Sequence, residues 1–134
     1  MQKTIIAIRV AEENKIFLGS KDRFRINVDL LQKTASKEFL KETLYKEQNV
    51  FYEYSEEYLP CEGNVEFLIE HFINRVFLIF YSESEPLVLF NNLNIHVEVE
   101  YIDDNNPGFH LNKLIVNKLA KLKANFDCSI SRIA

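Results

Sequence analysis

The stretch NIHVEVEYI (Asn94–Ile102), followed by DDNNPG (Asp103–Gly108), LNKLIVNKLAKLK (Leu111–Lys123) and FDCSISRI (Phe126–Ile133), decides the fold class. In its first segment Ile95, Val97, Val99 and Tyr101 alternate with His96, Glu98 and Glu100, the period of a strand with one apolar and one polar face. The Asp-Asn-Pro-Gly composition then breaks the chain. Leu111, Leu114, Ile115, Leu119 and Leu122 recur at steps of three and four, which predicts a helix with Lys113, Lys118, Lys121 and Lys123 turned mostly away from its inner stripe and Asn125 at its exit. A strand, a helix and a closing strand in this order fit a right-handed parallel crossover.

Working outward, Val65, Leu68, Ile69, Phe72, Ile73, Val76, Ile79 and Phe80 form the apolar stripe of a second helix, with Asn64 as its cap and Glu66 at the positive end of its dipole. Thr4–Val10 is β-branched and reads as a strand, and Lys15–Leu18 as a short return strand. Arg23–Val28 alternates Arg23, Arg25 and Asn27 with Phe24, Ile26 and Val28, which predicts another strand. Asp29 is placed to cap a helix over Leu30–Tyr45, with Leu30, Leu31, Ala35, Phe39, Leu40 and Leu44 inside. Asn49–Leu59 is dense in rings and reads as an extended segment with tyrosine hydroxyls facing outward. Leu87–Asn92, after Pro86, reads as a short helical turn. Strands alternating with amphipathic helices predict an α+β fold, a single mixed sheet with helices packed mainly on one face.

The chain has 134 residues, 47% of them hydrophobic and 27% charged, which suits one domain spanning residues 1–134. No apolar run approaches the roughly 20 residues of a membrane span, and charges interrupt the apolar N-terminal segment, so neither secretion nor a membrane partner is expected. Cys61 and Cys128 lack the spacing of a zinc site and the density of a disulfide scaffold, which fits the reducing cytoplasm.

The net charge of −4 hides an asymmetry. Residues 51–104 carry twelve acids against one base, Arg75, while both flanks are basic. Those acids can simply solvate outer faces. Adjacent carboxylates on one strand face, Glu98 and Glu100, nevertheless repel unless a cation offsets them, so a basic partner is expected and direct nucleic-acid binding is not.

His96 shares a strand face with Glu98 and Glu100, but ligands at i, i+2 and i+4 spread over about 13 Å, too far for one ion without a neighbouring strand. His71 flanks the apolar stripe and suits a local hydrogen bond, and His110 is placed to fix a helix start. Neither cysteine has a base nearby, and both read as buried apolar thiols. There is no GxGxxG, P-loop, HExxH or GxSxG, and Gly19, Gly63 and Gly108 are the only glycines. No catalytic residue, metal or cofactor is expected.

The passage with Asn106, Pro107, Gly108, Phe109, His110, Leu111, Leu119, Ala120, Leu122, Ala124 and Phe126 resembles the bacterial domain-of-unknown-function family numbered 4279. The resemblance covers residues 62–131 and centres on the NPG turn, the leucine-rich helix and the closing strand; Tyr52 and Tyr54 stand where that family commonly has a Gly-Trp segment. It brings no catalytic residues and implies an immunity-protein-like role. The expectation is a non-enzymatic protein that neutralises a basic bacterial toxin domain, such as a nuclease, through an acidic surface. That surface would comprise Glu98, Glu100, Asp103, Asp104, His96, Glu56 and Glu57, with Tyr52 and Tyr54 as aromatic anchors. The alternative is a small-molecule-binding or regulatory domain acting as a homodimer.

Overall fold

A computed structural model describes residues 2–11, 20–47, 51–59, 65–81, 93–102 and 109–132. The elements run β1 (Gln2–Ala11), α1 (Ser20–Thr34), β2 (Leu40–Glu47), β3 (Phe51–Tyr58), α2 (Val65–Phe80), β4 (Leu93–Tyr101), α3 (Lys113–Leu122) and β5 (Asn125–Arg132). They build one five-stranded mixed sheet in the order β2-β3-β1-β4-β5. All neighbours are antiparallel except β4 and β5, which run parallel. The first six elements therefore trace the split βαββαβ arrangement of ferredoxin-like folds, and α3–β5 extends it by a parallel crossover.

Residue parity assigns the two faces of the sheet. Ile6 pairs with Glu56 and Val97, and Ile8 with Tyr54 and Ile95, so these side chains share one face. That face carries the core: Ile6, Ile8, Val10, Tyr54, Ile95, Val97 and Val99 cluster with Phe24, Val28 and Leu31 of α1, with Leu68, Ile69, Phe72, Ile73 and Val76 of α2, and with Ile115 and Leu119 of α3. The opposite face carries Lys3, Ile5, Ala7 and Arg9 of β1, Glu53, Ser55 and Glu57 of β3, His96, Glu98 and Glu100 of β4, and Asp127, Ser129 and Ser131 of β5. None of the three described helices packs on this outer face.

The α+β class, the long α2 helix, the β4 alternation and the parallel β4–β5 pairing agree with the sequence. Arg23–Val28 does not form a strand and Leu30–Tyr45 does not form one helix. Phe24, Val28 and Leu31 are spaced at i, i+4 and i+7, and burying that stripe outweighs the short alternation of RFRINV. Asp29 consequently lies inside α1, and the helix stops at Thr34, whose hydroxyl donates to the carbonyls of Leu30 at 2.9 Å and Leu31 at 3.2 Å. The helix-forming residues of Leu40–Glu47 become a strand because pairing with β3 satisfies their backbone. Of the stripe expected for α3, Ile115 and Leu119 are buried, Leu111 and Leu122 pack partly buried against the core, and Leu114 is 71% exposed. Asn112 caps this helix by accepting from the Ile115 amide at 2.9 Å, and Lys123, at φ 55°, ends it, so Asn125 opens β5 instead of closing α3. The expectations for Lys15–Leu18, Asn64 and Leu87–Asn92 lie outside the described residues.

Candidate functional site

Among the described residues, the acids that the central stretch places on the sheet have three separate fates. The first is burial. Glu56 of β3 is fully buried, facing Arg75 of α2. Arg75 Nη1 donates to Glu56 Oε1 and Nη2 to Oε2, both at 2.7 Å, and the hydroxyls of Tyr58 and Tyr54 each donate to one of the same oxygens at 2.6 Å. Each carboxylate oxygen thus accepts two hydrogen bonds, which completes its capacity. Arg75 also donates to the Leu31 carbonyl and, from Nε, to Thr34 Oγ1 at 3.3 Å, tying α2 to α1. Burial first, and then the neighbouring Glu56 carboxylate, push the ionisation of Tyr54 and Tyr58 far above the ordinary tyrosine range.

Three expectations are thereby corrected. Tyr54 is fully buried and Tyr52 is 6% exposed, so neither can anchor a partner, and the hydroxyls of Tyr54 and Tyr58 point inward. Glu56 belongs to the interior and not to an acidic surface. Sequence periodicity held a signal for this cluster: Leu68, Phe72 and Arg75 follow i, i+4 and i+7, placing the lone base of the acidic stretch on the buried stripe of α2.

The second fate is pairing on the outer face. Glu53 accepts from Arg9 Nε, and Glu57 lies 2.8 Å from Lys41 Nζ and 3.6 Å from Lys3 Nζ. The hydrogen bond from Lys41 holds the Glu57 carboxyl below its ordinary range, against the opposing effect of partial burial. These bases come from the N-terminal segment of the sequence, so among the described residues the acidic surplus does not gather into one patch. Glu66 and Glu70 of α2 are turned to α3 instead: Glu66 accepts from the backbone amide of His110 at 3.0 Å and Glu70 from Asn112 Nδ2 at 2.9 Å.

The third fate leaves a narrower acidic strip at the β4–β5 side. His96 Nδ1 donates to Asp127 Oδ1, and Asn94 Nδ2 donates to Asp127 Oδ2 at 3.0 Å. The bond from His96 comes first among the causes that hold Asp127 below the ordinary aspartate range. His96 Nε2 lies 3.7 Å from Glu98 Oε1 on the other side. The His96 side chain is 18% exposed, whereas those of Glu98 and Asp127 are 52% and 55% exposed. Glu100 is half-buried and stands opposite Lys3 in the β1–β4 register. Asp103 and Asp104 lie outside the described residues. Asp127 and Asn94 were not legible as site residues, because a parallel register between distant strands brings them to His96.

No known family matches the chain in a scan of family profiles, and no curated protein matches it. Among solved structures, the crystal structure of MupZ from Pseudomonas fluorescens is similar at 15% identity, with a TM-score of 0.44 over 93% of this chain and 87% of that one. A likeness this loose carries no argument about function.

The remaining chemistry is sparse. Among the described residues no three His, Cys, Asp or Glu side chains group to hold a metal, and no helix is long and apolar enough to cross a membrane. Cys128 is exposed and free, in contrast to the buried thiol expected for it, and partial burial raises its ionisation so that the thiol is protonated at neutral pH. His71 stacks on Phe67, and burial followed by the Arg75 charge pushes its ionisation down. A cleft of about 160 Å³ between α1 and β2 is lined by Arg25, Val28, Asp29, Gln32 and Tyr45, which is less than the roughly 300 Å³ at which ligand pockets begin.

Proposed function

We propose that the chain is a non-catalytic, immunity-type protein of the bacterial cytoplasm that engages a basic toxin domain through the β4–β5 side of its outer sheet face. The observation that carries this reading is the strip of Glu98, Glu100 and Asp127 on the face on which none of the described helices packs, with Glu98 and Asp127 more than half exposed. Carboxylates there would pair with the lysines or arginines by which a nuclease grips phosphate, and would thereby occlude the substrate. In sequence, Asp103 and Asp104 add two further acids shortly after the end of β4. The filled layer between sheet and helices, where Ile6, Ile8, Phe24, Tyr54 and Phe72 are fully buried, favours a surface role over a small-molecule pocket.

The test is association with the toxin-like product of the adjacent reading frame, measured at several salt concentrations. Association is expected to slow as ionic strength rises and to weaken by at least tenfold in a Glu98→Lys/Glu100→Lys variant. Unchanged binding by that variant would overturn the assignment of this surface.

A further inference from the structure

The two edges of the sheet are built differently. β2 is blunted by Lys41, Glu42, Lys46 and Glu47, and its pairing with β3 is irregular between Leu40 and Glu42. Charges and irregularities of this kind discourage a further strand. β5 has only Asp127 and Arg132 as charged residues among eight, contains no proline, and pairs with β4 in unbroken register from Asn125 to Arg132. Seven of its eight residues are exposed, and its far side presents a row of backbone donors and acceptors to which no described strand is paired.

The side chains beside this edge specify what fits it. On the outer face Ser129 pairs with Glu98 and Ser131 with Glu100, so the two short side chains leave the β4 carboxylates approachable from the edge. An added strand would lie about 4.8 Å beyond β5, hence roughly 10 Å from β4, a gap that a long basic side chain and a glutamate close by reaching towards each other over a serine. Asp127 stands on β5 itself, in the same row system. On the helix-side face β5 offers Cys128 and Ile130, the latter 38% exposed. Basic residues at every second position would therefore meet Asp127, Glu98 and Glu100, and apolar residues between them would meet Cys128 and Ile130.

We propose that β5 is a β-augmentation edge, and that the partner docks an extended segment of alternating basic and apolar residues as a sixth strand. This rests on the basic-partner reading above and adds the form in which the positive charge is presented.

The probe is a fluorescein-labelled octapeptide of alternating arginine and valine, titrated into the full chain and followed by anisotropy. Two controls accompany it: a scrambled isomer of the same composition, and the alternating peptide N-methylated on alternate amides. The alternating peptide should bind about tenfold more tightly than either control, lose about tenfold in a Glu98→Gln/Glu100→Gln variant, and slow amide exchange over Asn125–Arg132. Equal binding of all three peptides, still dependent on Glu98 and Glu100, would overturn the added strand while leaving the acidic-surface reading intact. Protection falling on Leu40–Glu47, failure of every peptide to bind, or pairing of β5 with a second copy of the chain would also overturn it. In those cases the partner-association experiment decides the broader reading independently.

Discussion

Two carboxylate clusters sit on opposite faces of one sheet and illustrate what parity does to the same functional group. Glu56 faces the helices, where Arg75, Tyr54 and Tyr58 fill its four acceptor positions and no water is needed. Glu98 and Asp127 face outward, where His96 and Asn94 orient them and more than half of each side chain stays exposed. The buried cluster is committed to stability, and the open strip retains capacity for a partner. A high count of acids in sequence therefore says little about surface potential until the faces are assigned.

The sharpest way to break this contrast is to remove one buried partner. Glu56→Gln leaves Arg75 charged in the interior, and urea titration should show a loss of about 3–5 kcal/mol. Replacing both partners, as Glu56→Leu with Arg75→Met, should recover part of that loss, because it removes the unpaired charge while leaving two tyrosine hydroxyls to be satisfied. A single Tyr54→Phe change takes one hydrogen bond from the carboxylate and should cost about 1.5–3 kcal/mol by the same measurement.

The outer face responds more weakly and with a sign set by pH. The folded Glu57 carboxyl is held below its ordinary range, so its stabilisation is fully present above the unfolded carboxylate's titration and is lost as pH falls through the folded value. Glu57→Gln should flatten the acid side of the stability profile, which thermal melts over a pH series would register; an unaltered slope would show that the Lys41 and Lys3 pairings contribute nothing. Smallest of all is Glu98→Ala, expected to change stability by less than about 0.5 kcal/mol while still slowing association with a basic partner.

Legibility followed the range of the interactions. The α2 stripe and the β4 alternation carry their whole signal in consecutive residues, and both were readable. Arg23–Val28 satisfies a period of two and, with Leu31, a period of 3.6, and only packing against α2 and the sheet decides for the helix. Leu40–Glu47 is composed of helix formers, yet becomes a strand because β3 supplies its partner. At the site, Glu98 and Glu100 were visible from their own strand. The Asp127–His96 bond and the withdrawal of Glu53, Glu56 and Glu57 into pairs depend on registers between residues far apart in sequence. Tyr52 and Tyr54 misled because rings next to acids resemble an interface, whereas two of the neighbouring tyrosine hydroxyls serve a buried carboxylate.

The alternation of β3 has one more consequence, for the fidelity of folding. A slip of this strand by a single position would turn Glu56 away from its guanidinium and, in the same step, deprive Arg9 of Glu53 and both Lys3 and Lys41 of Glu57. Four ion pairs on two sides of the sheet thus vote for one alignment, and a mispaired chain forfeits them together.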